Sequence, residues 1–308
     1  MTIFAGEDNI SNLVDSVTWS GDRDQIARKL SFSYIHTDQD SNVRSPDIAL
    51  GSRITMYDDE NMLAFDGVAL GIEKDEADVK VKVSCHDMAF YLKSEVYNTY
   101  KGTPAQIAAA VCLEFGIKTG LLADNGKTVE VVSTGEKTVY QIIKSAYEEA
   151  GMDVHIYMEG LTLCTEEFGS RTVAVLTGDD QIISASYKSS IENMVNQVLV
   201  LDGKGKYVKT VENAEDVAAY GIVRKIYKKD GSGKETDEEA LKLIKSVENS
   251  GSISVTVQDF LCVTGKKVMV MKAGSSIFGL FHIVSDSHTI ANGEHTARLG
   301  LDFERVQG

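Results

Sequence analysis

The sharpest hydrophobic pattern lies between Ile277 and Val306. The runs Leu280-Phe281-His282-Ile283-Val284 and Thr296-Ala297-Arg298-Leu299-Gly300-Leu301-Asp302-Phe303 flank Asn292-Gly293. In the second run Ala297, Leu299, Leu301 and Phe303 share one side of a two-residue period. Thr296, Arg298, Asp302 and Glu304 share the other, so the pattern predicts a strand with one dry and one wet face. Asn-Gly accepts positive φ at both central positions, which predicts a two-residue hairpin turn.

The rest of the chain divides by period. Residues 1–95 read as short strands: Leu13 to Ser20, ending at a Gly21-Asp22 turn, Arg28 to Ile35, Arg53 to Tyr57, Met62 to Ile72, and Asp78 to Cys85. Leu30, Phe32 and Tyr34 share a face, as do Val79, Val81 and Val83. Strands this short and closely spaced predict a barrel or a sandwich. Residues 96–150 change to a small α/β module. Thr103 caps a helix with Pro104 at its first position and Gly116 beyond its end. A strand at Val129 to Val132 precedes a second helix, Thr138 to Ala150, with a Thr138–Gln141 capping box and a stop at Gly151.

Residues 151–212 return to β, with a hairpin from Val154 to Cys164 around Glu159-Gly160 and strands at Ile182 to Tyr187 and Met194 to Leu201. Residues 213–250 read as a helical insertion. A helix runs from Asn213 to Gly221, a strand covers Ile222 to Tyr227, and a second helix, Ala240 to Glu248, follows a Thr236–Glu239 capping box. Residues 251–308 complete the second β-region together with 151–212. The class is mainly β with α+β additions.

Composition narrows the function. The chain has 308 residues, 43% hydrophobic and 25% charged, enough for two or three domains. No apolar run approaches the ~20 residues of a membrane span. The N-terminus lacks a basic signal-peptide region, so synthesis in the cytoplasm and no stable membrane association are expected. The net charge of −15 argues against a sequence-reading nucleic-acid binder, which would show a basic face. Cys85, Cys112, Cys164 and Cys262 lack C-x-x-C spacing and sit in apolar or alternating runs, which predicts buried free thiols.

Candidate chemistry is sparse. His282, Asp286, His288, Glu294 and His295 crowd into the last hairpin, but their spacing matches no metal-ligand pattern. The expectation is that His282 and Asp286 share a face, that His288 lies in the loop, and that Asp286 and Ser287 bond local backbone N–H groups. In Cys85-His86-Asp87, strand alternation sends neighbours to opposite faces, so no relay forms. The carboxylate pairs Glu166-Glu167 and Asp179-Asp180 are uninformative in so acidic a chain. No G-x-S-x-G, P-loop or G-x-G-x-x-G is present, and the glycine-rich stretches Gly203 to Lys206 and Gly231 to Lys234 read as loops. No enzyme activity, metal or cofactor is expected.

Four stretches resemble one family. They are Ser20 to Phe32; Ile48 to Tyr57 followed by Ala64-Phe65-Asp66-Gly67-Val68; Cys85 to Leu92 running into the helix that ends at Ile117; and Phe278 to Phe303. In this order they resemble the central baseplate hubs of contractile phage tails and phage-like bacteriocins, the late-control-D type and within it the XkdQ/YqbQ-like family. Family members often carry an aromatic where this chain has Ile290. The resemblance implies two tube-like β-barrel domains, at 1–95 and at 151–212 plus 251–308, with the α/β module between them and the insertion at 213–250.

It also implies a homotrimeric adaptor between a sixfold tail tube protein and a threefold central spike protein. Baseplate wedge or tail-assembly proteins would be further partners, and the chain would form part of the released particle. DNA would pass through the lumen only in a true phage, and an acidic lumen would not hold it. Asp22, Arg23, Arg28, Arg53 and Arg298 are the interface candidates, because charge pairs fix register at contacts; plain surface charge is the alternative. Reversing Arg28 to Glu is expected to weaken assembly and leave the monomer folded. Two other functions remain open from sequence: a baseplate-associated cell-wall hydrolase and a glycan-binding module centred on 96–150.

Overall fold

The computed structural model describes residues 1–35, 46–74, 80–229, 237–257, 260–271 and 277–302. His36, Asp78, Val79, Gly231 to Lys234, Thr236, Phe303 and Glu304 lie outside the described residues, as do the side chains of Asp179 and Asp180.

The first β-region holds β1 (Thr2–Ala5), β2 (Asp8–Asn9), β3 (Val14–Asp22), β4 (Lys29–Ile35), β5 (Arg53–Tyr57), β6 (Leu63–Lys74) and β7 (Lys80–Asp87). Alternation sets their inner face. Val17 and Trp19, Leu30, Phe32 and Tyr34, Ile54 and Met56, and Val81, Val83 and Cys85 form one core. The strand β3 continues through Gly21-Asp22, where the sequence suggested a turn. The chain reverses just after, with the Gln25 N–H donating to the Asp22 carbonyl at 3.1 Å.

The α/β module consists of β8 (Glu95–Gly102), α1 (Pro104–Glu114), β9 (Lys118–Thr119), β10 (Val129–Thr138) and α2 (Val139–Ala150). Both helices start with a complete capping box, Thr103 with Gln106 and Thr138 with Gln141. The second ends at Gly151, whose φ of +80° favours glycine. β8 and β10 pair antiparallel. The next hairpin, β11 (Val154–Glu159) and β12 (Thr162–Glu167), turns at Glu159-Gly160 as the pattern predicts.

That hairpin does not join the second β-region, where its place in the chain suggested it would lie. β12 pairs in parallel with β9, and Leu163 enters the core made by Ile107, Val111, Ile142 and Ile143. The Tyr147 hydroxyl donates to the Ala123 carbonyl at 2.8 Å and lies 2.7 Å from Thr165 Oγ1, which fastens α2 to β12.

Next come β13 (Thr172–Thr177), α3 (Gly178–Gln181) and β14 (Ile182–Ser190). Residues 187–251 then form a compact unit of their own. It contains β15 (Gln197–Leu201), β16 (Tyr207–Glu212), α4 (Ala214–Tyr220), β17 (Arg224–Lys228) and α5 (Asp237–Leu241). β15 is central, antiparallel to β16 and parallel to β17. The unit begins at 187 rather than 213, so the strands of 194–212 belong to it and not to the second β-region. The helix expected over 240–248 ends at Leu241. Lys245 and Val195 exchange two backbone hydrogen bonds at 2.8 and 2.9 Å, which holds that segment extended.

The chain closes with β18 (Glu248–Thr256), β19 (Lys267–Met271), β20 (Phe278–Ala291) and β21 (Glu294–Asp302). Asn292 and Gly293 take φ of +53° and +80°, the geometry an Asn-Gly hairpin turn requires. Ile253, Val255, Val268, Val270, Ile283, Leu299 and Leu301 form a third core.

β20 joins the two β-regions. Its first part pairs with β19, and its second part, from Ser285 to Ala291, pairs with β3. One 13-stranded curled sheet results, ordered β14-β18-β21-β20-β3-β4-β7-β6-β5-β1-β2, with β13 and β19 attached beside β20. The structure is mainly β, as the sequence predicts, and its two β-regions are hydrogen-bonded to each other.

Candidate functional site

The seam between β3, β4 and β20 holds a buried polar cluster. Arg28, just before β4, makes two hydrogen bonds to Asp286 on β20, at 3.0 and 2.5 Å. Its guanidinium lies 3.9 Å over the Trp19 ring. Gly21 lies beside it on β3, where a Cβ would come within 2.3 Å of Arg28 Nη1, so a side chain there would have to displace the guanidinium. Asp286 also accepts bonds from the Thr264 N–H and hydroxyl, both at 2.7 Å.

Two residues on, His288 Nε2 lies 3.0 Å from the Cys262 carbonyl, so that nitrogen donates. Its Nδ1 must therefore accept, and the donor is His295 Nε2 at 3.0 Å. The Phe260 ring packs tilted against His295 at 4.7 Å and edge-on to Trp19 at 5.3 Å.

This arrangement overturns the turn-chemistry expectation for Asp286 and the loop position for His288. Both lie inside β20, and both are buried. The cause is a register shift between Ile283 and Ser285. A bulge inserts one residue, so inward positions change from Phe281 and Ile283 to Asp286 and His288. His282 and Asp286 consequently do not share a face.

Titration follows from this burial. Burial alone would raise the Asp286 pKa, but the Arg28 charge and hydrogen bonds outweigh it, and the net direction is down. Burial pushes His288 down to about 4, against a smaller upward pull from Asp286. Burial likewise takes His155 to about 4, with Arg28 adding to it. Unfolded histidines bind a proton near 6.5, which these two refuse in the fold until about 4. Their contribution is thus complete above pH 6.5 and is lost as pH falls through that window. Asp87 opposes one of them, because burial holds its pKa up to about 6. We expect the urea midpoint to be lower at pH 5 than at pH 7. The drop should shrink in His288→Gln, whose amide can still donate to the Cys262 carbonyl. An unchanged midpoint would show that the histidines are not held neutral.

The interface candidates separate on this frame. Asp22 caps its own turn, accepting from the Asp24 N–H at 2.9 Å. Arg23 makes a bidentate pair with Asp153 and lies 4.3 Å over Phe168. Both partners of that pair are exposed, which limits it to roughly 0–1 kcal/mol. Arg53 pairs with the buried Asp66 at 2.8 and 2.6 Å while staying half-exposed. Arg298 is exposed on β21. Arg28 is only 17% exposed and is committed to Asp286. Its reversal would therefore act on folding, which replaces the expectation of an intact Arg28→Glu monomer.

The catalytic alternatives gain no geometry. Cys85 is buried and its thiol is pushed up to about 12 by desolvation. Asp87 caps the turn that follows β7, accepting from the Ala89 N–H at 3.1 Å. All four cysteines are free and buried. Among the described residues no group of three or more His, Cys, Asp or Glu could hold a metal, and no helix is long and apolar enough to cross a membrane.

Beside the polar cluster opens a cleft of about 560 Å³. Trp19, Phe260 and Val263 line it from the sheet side, and His155, Tyr157 and Glu166 line it from the β11–β12 hairpin. The β5–β6 turn and the start of β6, from Asp58 to Ala64, supply its rim. Glu166 is buried and paired with Lys266, with Arg171 3.2 Å away. Sequence reasoning missed this cleft because its walls come from four separate parts of the chain.

The fold is similar to that of several phage-tail proteins. A tail protein from Neisseria meningitidis superimposes with a TM-score of 0.74 at 16% identity, over 98% of this chain and 96% of that one. A prophage tail protein from Shewanella oneidensis matches equally, with a TM-score of 0.74 at 15% identity over 98% and 97%. An E. coli component of the type VI secretion system, described as similar to T4 tail proteins gp27 and gp5, gives 0.58 at 12% identity, over 95% and 74%. No curated protein sequence matches the chain. The sequence does match the YQBQ-like family over residues 17–302, and the chain belongs to that family.

Proposed function

We propose that this chain is a structural hub of a phage-tail-like particle. In this reading three copies form a ring that adapts a tail tube to a central spike, and the chain carries no catalytic activity. The observation that supports it most is the full-length likeness to two tail proteins, with nearly complete coverage of both partners. The described likeness of the E. coli secretion component to the T4 tail proteins gp27 and gp5 favours a place in the tail.

The surface agrees with a chain that partners cover. β8 and β10 form a two-stranded sheet whose outer edges pair with no other strand among the described residues. Tyr97, on β8, is 80% exposed, and Val132 on β10 is also exposed. Open edges and bare apolar side chains are costly on a monomer and ordinary on a subunit. The net charge of −15 suits a channel wall that repels phosphate.

The test is solution mass by sedimentation, for the chain alone and then with candidate tube and spike proteins. Three chains of 33.6 kDa give a closed ring of roughly 100 kDa. That mass, alone or on the spike, supports the hub. A monomer under both conditions overturns it.

A further inference from the structure

The cleft beside the polar cluster has the features of a peptide-binding site. Its lip is apolar and bare: Met62 is 64% exposed, Leu261 55% and Leu63 42%. The lip is also held rigid. The Asp58 carboxylate accepts from the Glu60 N–H at 3.0 Å and the Met62 N–H at 2.7 Å, and the Asp58 N–H donates to the Met62 carbonyl. A preorganised lip loses little entropy on binding.

The floor is largely aromatic and apolar, with Trp19, Phe260 and Val263 on its sheet side. The rim carries the acidic run Asp58-Asp59-Glu60. Asp59 is neutralised by the Met1 ammonium, which leaves Asp58 and Glu60 as net negative charge. At the inner wall Lys266 is matched by Glu166, and Arg28 by Asp286.

We propose that this cleft binds an extended segment of a partner protein, with large apolar side chains flanked by Lys or Arg. The apolar side chains fill the space between Met62, Leu63, Leu261 and Phe260. Its basic flanks meet Asp58 and Glu60. An acidic segment would meet repulsion at the rim, and a small polar one would leave the lip wet. The site does not depend on the chain being a tail hub.

Trp19 is the only tryptophan, so its fluorescence reads the floor of the cleft directly. The probe is the end-capped peptide Lys-Leu-Phe-Leu-Lys, titrated into the full chain. The expected result is a saturable change in Trp19 emission, weakened about fivefold or more in Glu60→Lys and in Met62→Ser, consistent with a loss of roughly 1 kcal/mol. Both residues are exposed at the rim, so both variants should fold. No saturable change up to millimolar peptide would overturn the proposal. So would an equal response to Glu-Leu-Phe-Leu-Glu, or equal binding by both variants. A Trp19 change that tracks protein concentration without peptide would assign the cleft to a second copy of the chain and overturn it as well. None of these outcomes bears on the mass of the ring.

Discussion

Replacing Arg28 with alanine should destabilise the chain by about 3–5 kcal/mol, the range for removing one partner of a buried ion pair. Asp286 is fully buried and would lose its cation, keeping the Thr264 N–H and hydroxyl as hydrogen-bond donors. Trp19 would lose the guanidinium stacked on its ring at the same time. Urea unfolding followed by circular dichroism measures the loss. A double variant, Arg28→Met with Asp286→Asn, should recover part of it, since the amide still accepts from the Thr264 N–H and no net charge stays buried. A loss under ~1 kcal/mol, the size expected for an exposed pair such as Arg23–Asp153, would mean that water reaches Asp286. The seam matters beyond stability, because it is where β20 binds the C-terminal β-region to β3 of the N-terminal one.

Leu163→Ala is the second large effect, at roughly 2–5 kcal/mol for a leucine removed from a closed core. Leu163 is fully buried and sits on β12, paired across to Met158 on β11 and to Thr119 on β9. Its side chain fastens the β11–β12 hairpin to the core of α1 and α2. The loss should appear locally as well. Amide exchange over 154–167 should accelerate more than exchange over β3 and β4, which rest on a different core. Equal acceleration everywhere would show that the cores unfold as one unit and that the hairpin has no separate attachment.

Features set by neighbours in sequence were legible before the structure. The Thr138–Gln141 capping box needs contacts only three residues apart. The Asn292-Gly293 turn needs two backbone dihedrals. The inward faces of β4 and β7 follow from alternation, and so does the burial of Cys85 on β7. One local signal was incomplete. The Thr103 box with Gln106 has the same form as the second one, yet only the cap itself was read from it.

The features that remained hidden are non-local. Arg28 and Asp286 are 258 positions apart, and no spacing rule joins them. A single bulged residue after Ile283 reversed the inward phase of β20, turning a reading of turn chemistry into a buried ion pair. Strand phase is additive along the chain, so one inserted residue changes the face of every side chain beyond it. The helix expected to continue to Glu248 ended at Leu241, because Val195, fifty residues upstream, captures the backbone of Lys245.

By itself the sequence determined the mainly β class, the two capped helices, the closing hairpin and, through four ordered stretches, the family. Those properties arise from alternation, capping and turn chemistry, which act over a few residues. Only the tertiary structure decided which strands pair, that β20 joins the two β-regions in one sheet, that β11 and β12 belong with the α/β core, and that a cleft opens between them. Those depend on segments far apart in the chain meeting in space, and on which polar groups must be matched once water is excluded.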